Sequence, residues 1–192
     1  MRPNRRAAMA TILPLTAVEP ALIEELLDAA FGPDRFGRTA YAIREGMDWL
    51  PGLSFAALDE DDWLVGTIQL WPVALTSPQG RAHPLLMVGP VAVMPGRQGE
   101  GFGKALIATA LGAISTEAPL PQMLIGDLDY YGQWGFSAEH TRGWRCPGPW
   151  DPARLLARCD DPALLPHEGL LGPWTGAATV APAERALSLI HI

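Results

Sequence analysis

The sequence predicts a single α/β (α+β) domain with a mixed, mostly antiparallel sheet, and three stretches carry that expectation. Residues 85 to 125 read as strand, glycine-dense turn, amphipathic helix and strand, a crossover unit that requires a parallel pair. Residues 53 to 71 read as two strand runs around the acidic turn Asp59-Glu60-Asp61-Asp62, an antiparallel hairpin. Ahead of both, residues 10 to 31 read as a strand followed by a helix.

Met1 to Met9 carries Arg2, Arg5 and Arg6 without an apolar pattern and is expected to be a disordered extension. Ala10 to Leu15 suits a first strand. Thr16 and Glu19 then form a capping box, and Leu22, Ile23, Leu26, Leu27 and Ala30 share one helical face until Gly32-Pro33. Residues 39 to 50 suggest a ragged second helix through Tyr41, Ile43, Met47 and Trp49, stopped by Pro51. Pro72 to His83 reads as a loop, so the central strand begins near Pro84. After the glycine turn, Phe102, Leu106, Ile107, Ala110, Leu111 and Ile114 fall on one helix face, and Pro119 and Pro121 end it. Met123 to Ile125 is a short strand. Beyond Phe136 prolines and tryptophans dominate, with a short helix at Pro152 to Arg158 and an extended stretch from Ala177 to Leu189. The expected division is an extension over 1–9, a core over 10–145 and an irregular C-terminal part over 146–192 packed on the same domain. Trp134, Trp144, Trp150 and Trp174 either anchor loops to the core or wall a pocket.

At 192 residues and 48% hydrophobic, the chain can bury one sizeable core. No apolar run approaches the roughly 18 residues of a membrane span, and the N-terminal arginines adjoin no apolar signal segment, so a cytoplasmic protein without a membrane partner is expected. Cys146 and Cys159 lack metal-ligand spacing and read as reduced thiols, with no metal. A net charge of -7 opposes a nucleic-acid partner and suits a cationic amine. Lys104 is the only lysine, and with Arg97 it makes the glycine turn locally positive.

That turn reads Met94-Pro95-Gly96-Arg97-Gln98-Gly99-Glu100-Gly101-Phe102-Gly103-Lys104. Its glycines leave main-chain N–H groups uncovered, and the following helix adds its unpaired N–H groups and the positive end of its dipole. The pattern points to an anion, most simply a phosphate. A P-loop fails twice, because Gln98 stands at its first glycine and Ala105 replaces the magnesium-binding hydroxyl. A dinucleotide fingerprint starts at Gly101-x-Gly103 but meets Leu106 at its last glycine, although Asp127 keeps the ribose-carboxylate distance.

Gln98-Gly99-Glu100-Gly101-Phe102-Gly103, after a strand and opening a helix, resembles the Gln/Arg-x-x-Gly-x-Gly/Ala loop of the GNAT acetyltransferase superfamily. Two more features agree. The strand Leu86 to Val93 is interrupted by Gly89-Pro90, where a bulge would splay it. Downstream, Tyr131-Gly132-Gln133-Trp134-Gly135-Phe136 is similar to that family's Tyr-x-x-x-Gly-Phe signature. Their order and spacing resemble the YhbS-like N-acetyltransferases over roughly residues 10 to 140.

The resemblance implies a sheet splayed at the cofactor strand with helices on both faces, acetyl-CoA as co-substrate, and acetyl transfer to a primary amine by direct attack in a ternary complex. The amine belongs to a small molecule or peptide, and pairing of two copies is left open. The cofactor stretch it implies is Val91, Ala92 and Val93 with Gln98, Gly99, Glu100, Gly101, Phe102, Gly103 and Lys104; Glu100 itself reads as solvent-facing. Main-chain N–H groups of Gly99, Gly101, Gly103 and Lys104 would hold the pyrophosphate, and Val91 and Val93 the pantetheine arm. Tyr131 aligns with the general acid, the alternative being a packed aromatic beside Trp134 and Phe136, with Tyr130 as its neighbouring competitor. Asp127 either attracts the ammonium and relays its proton or caps the next helix, which Asp129 could cap instead. His83 and His140 are further candidates for the base. Neither cysteine has a paired histidine, which argues against an acyl-enzyme. Two other readings stand beside this one: a non-catalytic CoA-binding module on the same fold, and a dinucleotide-dependent oxidoreductase.

Overall fold

The computed structural model describes residues 9–117 and 119–176, so the expected extension before Met9 and the stretch from Ala177 to Leu189 lie outside the described residues. In chain order the elements are β1 (Thr11–Pro14), α1 (Pro20–Phe31), α2 (Thr39–Ile43), β2 (Phe55–Leu58), β3 (Leu64–Thr76), β4 (Ala82–Val93), α3 (Phe102–Glu117), β5 (Gln122–Ile125), α4 (Leu128–Tyr131), β6 (Gly143–Arg145), β7 (Leu155–Arg158) and β8 (Glu168–Pro173). They form one mixed sheet in the order β1-β2-β3-β4-β5-β7, with β8 beside the second half of β3 and β6 beside β8. The β4–β5 and β6–β8 pairs are parallel and the remaining pairs antiparallel.

Helices cover both faces, as residue alternation requires. Ile23, Leu26 and Leu27 of α1 bury against Ala56 and Ala92, whereas Phe102, Leu106, Ile107, Ala110 and Ile114 of α3 bury with the neighbouring Ala57, and Val91 and Val93 pack on that side. A β-carbon on Gly66 would lie 3.0 Å from Leu106 Cδ1, so α3 crosses β3 where β3 has no side chain. Leu22, expected on the buried face of α1, is 47% exposed.

One irregularity organises the central strand. Along β3 and β4 the partners run Ile68 with Val91, then Leu70 with Val88, so β4 carries one extra residue at Gly89-Pro90. Before the bulge, Leu86 and Val88 face α3; after it, Val91 and Val93 do. The bulge inverts the alternation and sets which side chains reach the far end of the strand.

Tertiary contacts redraw several expected elements. The supposed loop from Pro72 to His83 is mostly strand, turning only at Ser77 to Arg81, where Ser77 N–H donates to Arg81 O at 2.9 Å. Its prolines break no ladder. Pro72 O accepts from Trp174 N–H, so the nitrogen of Pro72 points to the edge between the end of β2 and the start of β8 pairing. Leu86 N–H donates to Pro121 O at 2.9 Å, and Pro84 faces the same side just before β5 pairing begins. The capping box does not form: Thr16 lies in a 3-10 turn, Glu19 caps without a side-chain bond, and Pro20 opens α1. The ragged helix at 39 to 50 shrinks to α2. Of the helix expected at Pro152 to Arg158, only a turn at Pro152–Arg154 exists, and Leu155 to Arg158 is β7, its Leu155, Leu156 and Ala157 buried against β5. Within residues 146–176, β7 and β8 join the central sheet, with turns and irregular backbone between and around them. Among the described residues no helix is long and apolar enough to cross a membrane.

Leu106 is fully buried between α3 and the sheet. Leu106→Ala is expected to destabilise the fold by about 2–5 kcal/mol, read as a lower midpoint in urea unfolding with an unchanged slope.

Candidate active site

The site lies where β4 and β5 part. Their parallel pairing covers only Leu86 with Gln122 and Met87 with Met123, and the bulge follows at once. Met94 N–H donates to Val65 O at 2.8 Å, so by antiparallel alternation Ala92 directs its main-chain groups to β3. The N–H groups of Val91 and Val93 consequently point into the opening.

The glycine turn closes one end of this opening. Gly96, Gly99 and Gly101 have φ of 86°, 81° and 94°, a region that other residues enter only with strain. The first bond of α3 runs from Ala105 N–H to Gly101 O at 3.0 Å, leaving the N–H groups of Phe102, Gly103 and Lys104 without an intrahelical acceptor. These residues enclose a cavity of about 400 Å³ with Val93, Arg97, Gln98, Gly99, Gly101 and Tyr130. Val91 lines the adjoining cavity instead. Ala92 is buried on the α1 side, and Glu100 turns to Arg97, so neither lines the opening.

The expected positive charge of the turn is largely cancelled. Arg97 binds Glu100 at 2.7 Å and Asp59 at 2.8 Å, and Asp59 also accepts from Asp61 N–H and Trp63 N–H at 3.0 Å each. Glu100 is an ion-pair partner rather than a solvent-facing carboxylate. The Arg97 hydrogen bond, followed by that from Trp63 N–H, holds the Asp59 carboxyl below its usual range. Asp59, which the sequence offered only as part of a turn, thus fastens the glycine turn to the β2–β3 turn.

The second cavity, of about 330 Å³, fills the fork itself. Its walls are Met87 to Val91 of β4, Ile125 at the end of β5 with Gly126 and Asp127 after it, Tyr130 and Tyr131 of α4, Arg154, and residues of the segment between Phe31 and Arg44. Tyr131 sits over Gly126, where a β-carbon would lie 2.5 Å from its ring, and it packs on Tyr130, Trp134 and Phe136. Burial, then the nearby Tyr130 and Asp127, push its phenol up to about 12. Tyr131 is thus both a packed aromatic and a cavity wall. Tyr130 lines both cavities, with its Oη 3.2 Å from where a β-carbon of Gly103 would stand; burial raises its pKa as well.

Asp127 lies at the mouth of the fork. It makes no side-chain cap to α4 and instead binds Arg154 at 3.0 Å, and Asp129 sits inside the first turn. His83 stands near the opposite end of β4, roughly 25 Å along the strand from Val91, and neither it nor His140 lines the cavity. Cys146 and Cys159 are free thiols away from it; burial pushes Cys146 up to about 11. No tryptophan walls the cavity. Trp144 is buried with Nε1 donating to Pro166 O at 2.9 Å, which makes it an anchor. The missed residues are Arg35, Arg38, Tyr41 and Arg44. Their only signal was Arg35 and Arg38 just before the ragged helix, with Tyr41 and Arg44 inside it. Among the described residues no group of three His, Cys, Asp or Glu side chains is placed to hold a metal.

The sheet is thus forked behind a bulge, with a glycine cradle at one end of the opening and a tyrosine-walled cavity in the fork. Residues 21–117, just over half of the chain, match the acetyltransferase (GNAT) family, and the chain belongs to that family. Among solved structures it is similar to YhbS, a GNAT family N-acetyltransferase from Escherichia coli in complex with CoA. The TM-score is 0.69 and the identity 22%, over 90% of this chain and 94% of that one. A GNAT family acetyltransferase from Brucella melitensis in complex with acetyl-CoA is similar at a TM-score of 0.54 and 28% identity, over 80% and 97% of the two chains. No curated protein sequence matches the chain significantly.

Because the Asp59 pKa is lower in the folded protein, its contribution is complete above the unfolded value of about 3.9 and fades as pH falls through the folded value. Urea unfolding between pH 2 and 6 should therefore show wild type losing its advantage over Asp59→Asn only below about pH 4. An advantage that stays constant to pH 2 would exclude the ion pair as its source.

Proposed function

We propose that the chain is an N-acetyltransferase that moves the acetyl group of acetyl-CoA to a primary amine by direct attack in a ternary complex. The observation that carries this reading is the meeting of the two cavities at Tyr130, with the free edge of Val91 and Val93 running between them. An anionic, elongated donor has its phosphates served at one end and its reacting end delivered to the other.

In this reading the pyrophosphate rests on the N–H groups of Gly99, Gly101, Gly103 and Lys104, where the α3 dipole adds to the attraction. The pantetheine arm pairs along Val93 and Val91 as a partial strand, and one N–H of that edge faces the thioester oxygen as it gains negative charge. The amine nitrogen attacks the thioester carbon, the C–N bond forms and the C–S bond breaks. Tyr131 gives its proton to the departing thiolate. A phenol shifted up to about 12 is protonated at neutral pH, which supports the role of donor. The proton lost by the amine leaves through Asp127 at the mouth of the fork, by way of water. Tyr130 is the competing acid, favoured by its place against both cavities.

Isothermal titration with acetyl-CoA, using a dinucleotide as control ligand, tests the donor site. Gly103→Trp should weaken binding sharply, since even a β-carbon there approaches Tyr130 Oη. Tyr131→Phe should keep acetyl-CoA affinity while thiol release in an amine screen falls roughly a hundredfold. A larger loss in Tyr130→Phe would transfer the acid role to Tyr130. A folded sample that binds no acyl-CoA would overturn the transferase reading.

A further inference from the structure

We infer that the amine acceptor also carries an anionic group, a carboxylate or a phosphate, received by Arg44 and Arg38 on the α2 side of the fork. The inference rests on the transferase reading above and names the kind of acceptor that site takes.

Four arginines line the fork cavity, and only Asp127 among its lining residues is acidic. Two of the four already have carboxylate partners, and Arg38 donates one bond to the main-chain oxygen of Phe31 at 3.2 Å. Arg35 binds Asp28 at 2.8 Å, Glu24 and the Tyr41 hydroxyl, and Arg154 binds Asp127 at 3.0 Å. Arg38 and Arg44 have no carboxylate within 4.0 Å among the described residues. Even with Glu24 and Asp28 included, four arginines face three carboxylates, a local positive excess in a chain of net charge -7.

Arg44 is the stronger half of the argument. It is only 5% exposed, and its guanidinium lies against two aromatic rings, 4.1 Å from the centre of Tyr41 and 4.3 Å from that of Trp71. Contact of the cation with ring faces uses none of its N–H donors, which stay available to a ligand. One edge makes a long 3.4 Å bond to Gly89 O, the carbonyl of the bulge. Burial pushes its pKa down to about 10, so it stays charged at neutral pH while lacking a counter-ion. A desolvated, unpaired cation is unfavourable until an anion reaches it, and a planar guanidinium held by stacking suits a carboxylate or phosphate.

The phosphates of acetyl-CoA are poor candidates for that anion, because the glycine cradle lies beyond Tyr130 in the other cavity. The fork cavity of about 330 Å³ also takes the thioester, and Arg38, Tyr41 and Arg44 line a neighbouring cavity of about 620 Å³ as well, so the anionic end of the acceptor has space on that side. Asp127, whose second carboxylate oxygen takes no part in the bond to Arg154, for the ammonium and Arg44 with Arg38 for the anion describe an acceptor bearing both charges.

The experiment compares paired acceptors by thiol release from acetyl-CoA: the proteinogenic amino acids against their carboxamides, and phosphoethanolamine against ethanolamine. Wild type, Arg44→Gln and the exposed Arg38→Gln are run together, with acetyl-CoA affinity measured by titration for each. The expected result is a kcat/KM about tenfold or more higher for the anionic member of at least one pair, expressed mainly in KM. Each variant should erase that preference while acetyl-CoA affinity is unchanged, and the pair that responds tells carboxylate from phosphate. Equal or better use of the uncharged members overturns the inference, as do variants that slow both members alike or weaken acetyl-CoA binding. Where no member turns over, titration of the CoA complex with the same pairs makes the comparison, and absence of anion-dependent binding overturns it. Wild type that does not bind acetyl-CoA strikes the transferase reading itself; binding with a preference for uncharged amines strikes this inference alone.

Discussion

The one residue that β4 holds in excess of β3 is the constraint on which the site depends. A strand in regular register would keep pairing with β5 and leave no edge free. With the bulge at Gly89-Pro90, β4 leaves β5 after Met87, inverts its alternation and presents Val91 and Val93 to an opening whose floor is α3. Arg44 meets the bulge through Gly89 O, so the device that opens the sheet is also in contact with the wall of the cavity it creates.

Two different kinds of holding flank that opening. At the cradle, geometry is held by glycine: positive φ at Gly96, Gly99 and Gly101 shapes the turn, and the Arg97 pairs with Asp59 and Glu100 anchor it. The charge of Arg97 is thereby paired within the protein, and the main-chain N–H groups and Lys104 remain to meet a ligand. At the fork the reverse holds. Tyr131 has room only because Gly126 lacks a side chain, and positive charge is kept unspent on Arg38 and Arg44. The first arrangement suits a ligand whose phosphates are always the same, the second a ligand that must be selected.

The C-terminal strands explain why the sheet tolerates being opened. β7 pairs with β5 over its whole length, and β8 fills the edge of β3 that β2 leaves vacant. Trp144 and Trp174 are buried beneath these strands, which ties the later part of the chain to the core that carries the fork.

Local sequence was enough to determine the parts whose physics is local. Glycine spacing before an amphipathic helix specifies the cradle, Gly89-Pro90 specifies an interruption in β4, and the period of Phe102, Leu106, Ile107, Ala110 and Ile114 specifies the buried face of α3. Tyr131, singled out by its spacing to Gly135-Phe136, lines the fork. Tertiary structure alone decided the rest. Pro72 looked like a loop residue because a missing N–H is harmful only where a neighbouring strand needs it, and neighbours are set by the whole sheet. Leu155 to Arg158 became a strand because β5 offered an open edge. The arginines at 35, 38 and 44 belong to a segment with weak periodicity, and their meaning depends on which carboxylates come within reach after folding. Charge in a sequence is a count, whereas charge in a site is what remains once every ion pair has formed.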